Sequence, residues 1–263
     1  MTPNTQPIDL QRSARIALAC LDLTSLNDAD TEADIAKLCQ RAQSPFGPVA
    51  AVCVWPRLAA FARTQLPAHM GVAAVANFPH GNADLNAAVG DTLEIVHAGA
   101  QEVDLVLPYR TLMAGDHAAV TKLLRAVRQA CPGLRLKVIL ETGELKTSEL
   151  IGRASQLALD AGADFLKTST GKTPVNATPQ AARVMLGAIA ASPSGKNHVG
   201  FKASGGIRTV QDAAVYESLV RHNLGEHALN PKRFRIGASS LLNDIEALLN
   251  PLTASAPSPA NGY

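Results

Sequence analysis

Five charged residues interrupt short apolar runs, where a charge is costly. Asp22 lies in Leu21-Asp22-Leu23 and Asp104 in Val103-Asp104-Leu105; Lys137, Lys167 and Lys202 lie in Leu136-Lys137-Val138, Leu166-Lys167-Thr168 and Phe201-Lys202-Ala203. Lysine is rarely fully buried, and an unpaired buried charge costs several kcal/mol or more. Three lysines in three successive runs of this kind are no ordinary solvated surface. The two aspartates could pair with them. One reading is an ionic network that only fills a core. The other is amine chemistry. Lysine ordinarily titrates near 10.4. A second cation and a dry site favour its neutral, nucleophilic form. Glu141, in Glu141-Thr142-Gly143-Glu144, could orient a lysine or cap a loop, and Lys146 reads as exposed.

Three loops rich in Gly, Ser and Thr suggest an anion site. They are Thr168-Ser169-Thr170-Gly171-Lys172, Ser204-Gly205-Gly206-Ile207-Arg208 and Gly237-Ala238-Ser239-Ser240. Glycines let backbone N–H groups approach an anion, and a helix N-terminus adds its dipole. Lys172 or Arg208 would supply charge. Metal chemistry finds little support. The seven histidines are scattered without HxH or HExxH, and His80 stands alone in Asn77-Phe78-Pro79-His80-Gly81. No metal site is expected. There is no GxSxG elbow either.

These residues need elements to hold them. Apolar runs alternate with amphipathic ones through eight units. Strands are expected at residues 17–23, 49–54, 71–77, 102–107, 136–140, 165–168, 199–203 and 234–237. Helices are expected at 31–43, 57–65, 85–97, 116–130, 148–161, 178–191, 210–222 and 239–249. Thr31 is a candidate N-cap, and Thr178-Pro179 reads as an N-cap followed by Pro at N1. Val120, Leu123, Leu124 and Val127 mark one helix face. Eight strand–helix units predict an α/β fold, a single-domain (β/α)₈ TIM barrel over residues 1–250. A doubly wound sheet is the main rival, but no Gly-rich dinucleotide loop follows the first strand. In a barrel the site lies at the C-terminal ends of the strands. Residues 251–263, rich in Pro, Ala and Ser, read as a mobile tail.

Composition agrees. The 263 residues are 47% hydrophobic but only 4% aromatic, which suits strands buried beneath Ala-rich helices. A formal charge of +2 without a basic block argues against nucleic-acid binding. The four cysteines form no CxxC, and Cys20 and Cys53 read as buried small hydrophobes. No membrane span and no signal peptide are evident, so a reducing cytoplasm is expected.

The chain closely resembles the 2-deoxyribose-5-phosphate aldolase family over roughly residues 16–250. The resemblance is carried by Leu21-Asp22-Leu23-Thr24, Asn77-Phe78-Pro79-His80-Gly81, Glu102-Val103-Asp104, Pro108-Tyr109-Arg110 and Leu136 through Gly143. It continues in Ala163 through Lys172, Gly200-Phe201-Lys202, Gly205-Gly206-Ile207-Arg208 and Gly237 through Leu242. It implies a cofactor-independent class I aldolase that cleaves 2-deoxy-D-ribose 5-phosphate to acetaldehyde and D-glyceraldehyde 3-phosphate, in deoxyribonucleoside catabolism. A homodimer is implied as well. Lys167 matches the Schiff-base lysine, Lys202 the second lysine and Asp104 the proton-shuttling aspartate. The implied substrate-binding set is Asp22, Thr24, Lys137, Thr170, Gly171, Lys172, Gly205, Gly206, Gly237, Ser239 and Ser240. Ala203 stands where the family pattern has proline, a change that spares the glycines. Tyr263 could reach the site to deliver a proton or be a free terminus. Two rivals keep the anion loops: a barrel isomerase or decarboxylase without a covalent intermediate, and a non-catalytic sugar-phosphate sensor.

Overall fold

A computed structural model describes residues 9–193 and 195–250. Eight parallel strands close into a barrel, each hydrogen-bonded to its neighbours in sequence, with the last returning to the first. They are β1 (Leu21–Thr24), β2 (Ala51–Val54), β3 (Gly71–Ala76), β4 (Glu102–Val106), β5 (Arg135–Ile139), β6 (Phe165–Lys167), β7 (Gly200–Ser204) and β8 (Phe234–Ala238). Helix α1 (Leu10–Ala19) precedes the barrel. The outer ring is α2 (Glu32–Ala42), α3 (Pro56–Gln65), α4 (Leu85–His97), α6 (His117–Ala130), α8 (Ser148–Asp160), α9 (Pro179–Ala191), α10 (Val210–Leu224) and α11 (Leu241–Leu249). Short helices α5 (Tyr109–Met113) and α7 (Thr142–Leu145) sit in the loops after β4 and β5. None of the described helices is long and apolar enough to cross a membrane.

The helices begin where side chains can satisfy the free N–H groups of a first turn. Thr31 and Thr209 each form a reciprocal capping box, with Asp34 and Asp212. Thr178 accepts from the N–H of Ala181 ahead of Pro179. On α6 the buried residues are Val120, Leu123, Leu124 and Val127, the expected stripe. Burying each contributes about 1.5–3 kcal/mol.

Two expectations need correction. Residues 17–19 belong to α1, and the first strand starts at Leu21. A short apolar run reads equally as strand or as the buried face of a helix. The last helix starts at Leu241, leaving Ser239 and Ser240 ahead of it. A small hairpin, Gln43–Ser44 paired with Gly47–Pro48, also escaped the periodicity. The tail 251–263, with Tyr263, lies outside the described residues.

Register decides which side chains meet. Asp104 pairs with Lys137, while Lys167, Lys202 and Arg235 lie abreast on β6, β7 and β8. Side chains alternate along a strand, so Glu102 shares the face of Asp104, and Phe165 that of Lys167. Phe165 fills the lower layer of the barrel. An added Cβ on Gly200 would lie 2.3 Å from its ring, so only glycine fits opposite it. The guanidinium groups of Arg135 and Arg235 lie over that ring, 5.9 Å and 5.7 Å from its centre.

Candidate active site

The expected charges converge inside the barrel. Asp104 accepts from all three lysines at 2.8 Å: Lys137 on Oδ1, and Lys167 and Lys202 together on Oδ2. Asp22 accepts from Lys202 and Arg235 and lies 3.2 Å from Lys137. Glu102 takes Lys137, Arg235 and Arg135. Glu102, Arg235 and Arg135 thus join a network whose other members, Asp22, Asp104, Lys137, Lys167 and Lys202, the sequence had marked. Alternation from Asp104 could have located Glu102, and the strand position of Arg235 was a similar sign.

The charge balance of this network bears on chemistry. Asp22, Glu102 and Asp104 face four buried bases: Lys137, Lys167, Lys202 and Arg235. Three carboxylates neutralise three cations, so the cheapest buried state leaves one base uncharged. Arginine does not deprotonate, so the neutral base is a lysine. Burial pushes every one of these lysines down, but the carboxylates act unequally. For Lys137, Asp104, Asp22 and Glu102 outweigh burial and hold the ammonium. For Lys202, Asp104 and Asp22 do the same. Lys167 has Asp104 alone, and Lys202 beside it repels a second positive charge. Its affinity for a proton is therefore lowered. Asp104 itself, though desolvation works against it, is held well below the usual carboxylate range by the three lysines. Glu102 falls to about 2, as Lys137 and Arg235 overcome burial.

The anion loops form a cavity of about 380 Å³ over the C-terminal ends of β1, β7 and β8. Thr24, Thr170 through Lys172, Ser204 through Arg208 and Gly237 through Ser240 line it. Thr24, Gly171, Gly205, Gly206, Ser239 and Ser240 thus come together as expected, with Arg208 at the same opening. Gly171, Gly205 and Gly206 have φ of 84°, 87° and 81°, a region costly for other residues. Gly237 serves close approach: a Cβ there would stand 2.7 Å from Ser204 Oγ and 3.0 Å from Lys202 Cε. Lys172 also lines the cavity, and its ammonium donates to Leu26 O at 2.8 Å. Asp22 and Lys137 are fully buried beneath and do not line it.

Glu141 resolves as a loop anchor. Fully buried, with φ 58°, it accepts from the hydroxyl and N–H of Thr170 and from the Thr173 hydroxyl. It thereby pins the loop running from Lys167 to the cavity. Burial raises its pKa against those hydrogen bonds. Lys146 is exposed, as expected. Cys20 and Cys53 are buried, and Cys53 Sγ lies 4.0 Å from Asp104 Oδ2. His80 is exposed, and no cluster of three metal-ligating side chains occurs among the described residues.

Known proteins share this fold. The chain is similar to a candidate deoxyribose-phosphate aldolase from Toxoplasma gondii ME49, 25% identical, with a TM-score of 0.84 over 92% of this chain and 98% of that one. One from Coccidioides immitis is 31% identical over 88% of this chain and 85% of its own, with a TM-score of 0.77. A deoxyribose phosphate aldolase from Aeropyrum pernix, described as tetrameric, is 25% identical over 91% and 96%, with a TM-score of 0.71. The profile of the DeoC/LacD aldolases matches residues 16–247, which span all eight strands and every member of the buried ion network. That match covers most of the chain, and the chain belongs to the DeoC/LacD family of aldolases.

Proposed function

We propose that this aldolase cleaves 2-deoxy-D-ribose 5-phosphate to D-glyceraldehyde 3-phosphate and acetaldehyde, reversibly, through an imine on Lys167. One observation carries the reading. Of the three barrel lysines, Lys167 alone has a lowered affinity for its proton. A neutral amine at pH 7 is the nucleophile that carbonyl addition needs. The cavity three residues further along the same loop supplies the phosphate end, where glycine N–H groups, Ser239 and Ser240 meet the charge of Arg208 and Lys172.

Lys167 Nζ attacks the C1 aldehyde of the open-chain sugar, and loss of water gives the protonated imine. A base takes the proton of the C3 hydroxyl. The C2–C3 bond breaks, its electron pair moves into the imine to form an enamine, and glyceraldehyde 3-phosphate departs. Protonation of the enamine at C2 and hydrolysis of the imine release acetaldehyde and restore the amine. Lys167 and Lys202 both donate to Asp104 Oδ2, so Asp104 and Lys202 are the groups proposed to move these protons, directly or through water. Asp22 and Lys137 support them from below. The mechanism draws on no cofactor or metal. The reading further includes a cytoplasmic setting in deoxyribonucleoside catabolism and a homodimer, although the A. pernix relative is tetrameric.

Product analysis tests the substrate. Equimolar acetaldehyde and glyceraldehyde 3-phosphate should form from 2-deoxyribose 5-phosphate. Unphosphorylated 2-deoxyribose should react with kcat/KM lower on the order of 100-fold, because phosphate binding helps position the reacting carbon. Equal rates on both sugars would contradict the assignment of the cavity.

A further inference from the structure

The opposite end of the barrel holds a larger cavity, about 580 Å³, among the N-terminal ends of β3, β4, β5 and β8. We propose that it binds a small organic anion with an apolar body, at a site separate from the aldolase centre. The lower layer around Phe165 and the ion network fill the barrel between the two ends.

Charge is the first argument. Glu102 is the sole carboxylate among the residues lining this cavity, and its oxygens already take Lys137, Arg235 and Arg135. The cations around it outnumber it. Arg235 also takes Asp22 below. Arg135, one-third exposed, makes no ion pair besides that with Glu102 among the described residues. Arg15 and Lys232 are exposed on the rim and make no ion pair among the described residues. A concave, low-dielectric wall concentrates the field of such a surplus. Guanidinium groups suit the paired oxygens of carboxylate, phosphate or sulfonate.

Shape is the second. Much of the remaining lining is apolar, with Leu18, Phe46, Pro48, Val49 and Met70. Phe46 sits between the two strands of the small hairpin, which brings it over the barrel's end. A cavity of several hundred Å³ with an apolar wall and a few convergent polar groups has the proportions of a small-molecule site. An inorganic anion alone would leave that wall unused, so the fitting ligand carries its charge on a ring or short aliphatic body.

The probe is 8-anilinonaphthalene-1-sulfonate, whose fluorescence rises in apolar surroundings. Titration of the whole chain should saturate and weaken as salt rises. Arg15→Glu combined with Lys232→Glu should weaken binding at least tenfold without changing aldol cleavage. Phe46→Ser alone should weaken it as well, and serves if the double variant does not fold. Absence of saturable binding, or equal affinity in all variants, would overturn the proposal.

Discussion

Replacing Lys202 by leucine isolates what one buried charge does to its neighbour. Both Lys167 Nζ and Lys202 Nζ lie 2.8 Å from Asp104 Oδ2. Twice that distance limits their separation to about 5.6 Å, where two unit charges repel by about 3 kcal/mol at an effective dielectric of ~20. Removing the repulsion raises the pKa of Lys167 by about 2, since each pKa unit is about 1.4 kcal/mol. Asp104, relieved of one lysine, holds the Lys167 proton more firmly and acts in the same direction. The neutral fraction of Lys167 should therefore fall, by up to roughly 100-fold at pH values where the ammonium already predominates. Turnover would confuse this effect with the loss of Lys202 as a proton carrier. The cleaner assay is the rate of imine trapping by borohydride, measured against pH in folded protein. The half-maximal point should move upward by about 2 pH units in Lys202→Leu. An unchanged profile would refute the electrostatic argument.

Other outcomes follow from the same contacts. Asp104→Leu leaves Lys137, Lys167 and Lys202 without their shared acceptor, so urea unfolding should register a loss of about 3–5 kcal/mol along with lost cleavage. Glu102 is held at about 2 in the fold against an ordinary 4.5, and Asp22 and Asp104 are also held low. Lowered carboxylates stabilise above their unfolded pKa, so these three should make the urea midpoint fall as pH drops from about 4 to about 2. Glu141→Gln loosens the Thr170 hydroxyl and N–H, so KM for the sugar phosphate should rise about tenfold with a smaller change in kcat. Gly237→Ala forces a methyl against Ser204 and Lys202, costing about 1–3 kcal/mol and lowering kcat, which denaturation and steady-state kinetics read together.

Much of this site was legible because burying charge is expensive. Asp22, Asp104, Lys137, Lys167 and Lys202 stood out in apolar runs, and the barrel brings all five into one network. The glycine loops also met as expected, because short turns after parallel strands must lie at the same end of a barrel. What escaped has physical reasons. Glu102 and Arg235 sit at or near the starts of their strands, where a charge passes for an exposed end. Alternation from Asp104 places Glu102 inward, while for Arg235 the register beside Lys202 does so. Glu141 had two open roles because its partners, Thr170 and Thr173, lie about thirty residues away. The last turn of α1 imitated a strand, since four apolar residues carry no usable period.

The covalent step is the central claim, and it can be caught directly. The protein would be mixed with 2-deoxyribose 5-phosphate, reduced with borohydride, digested and mapped by mass spectrometry. The account predicts a stable sugar-phosphate or two-carbon adduct on Lys167. An adduct confined to another lysine, or none at all on folded and active protein, would contradict it.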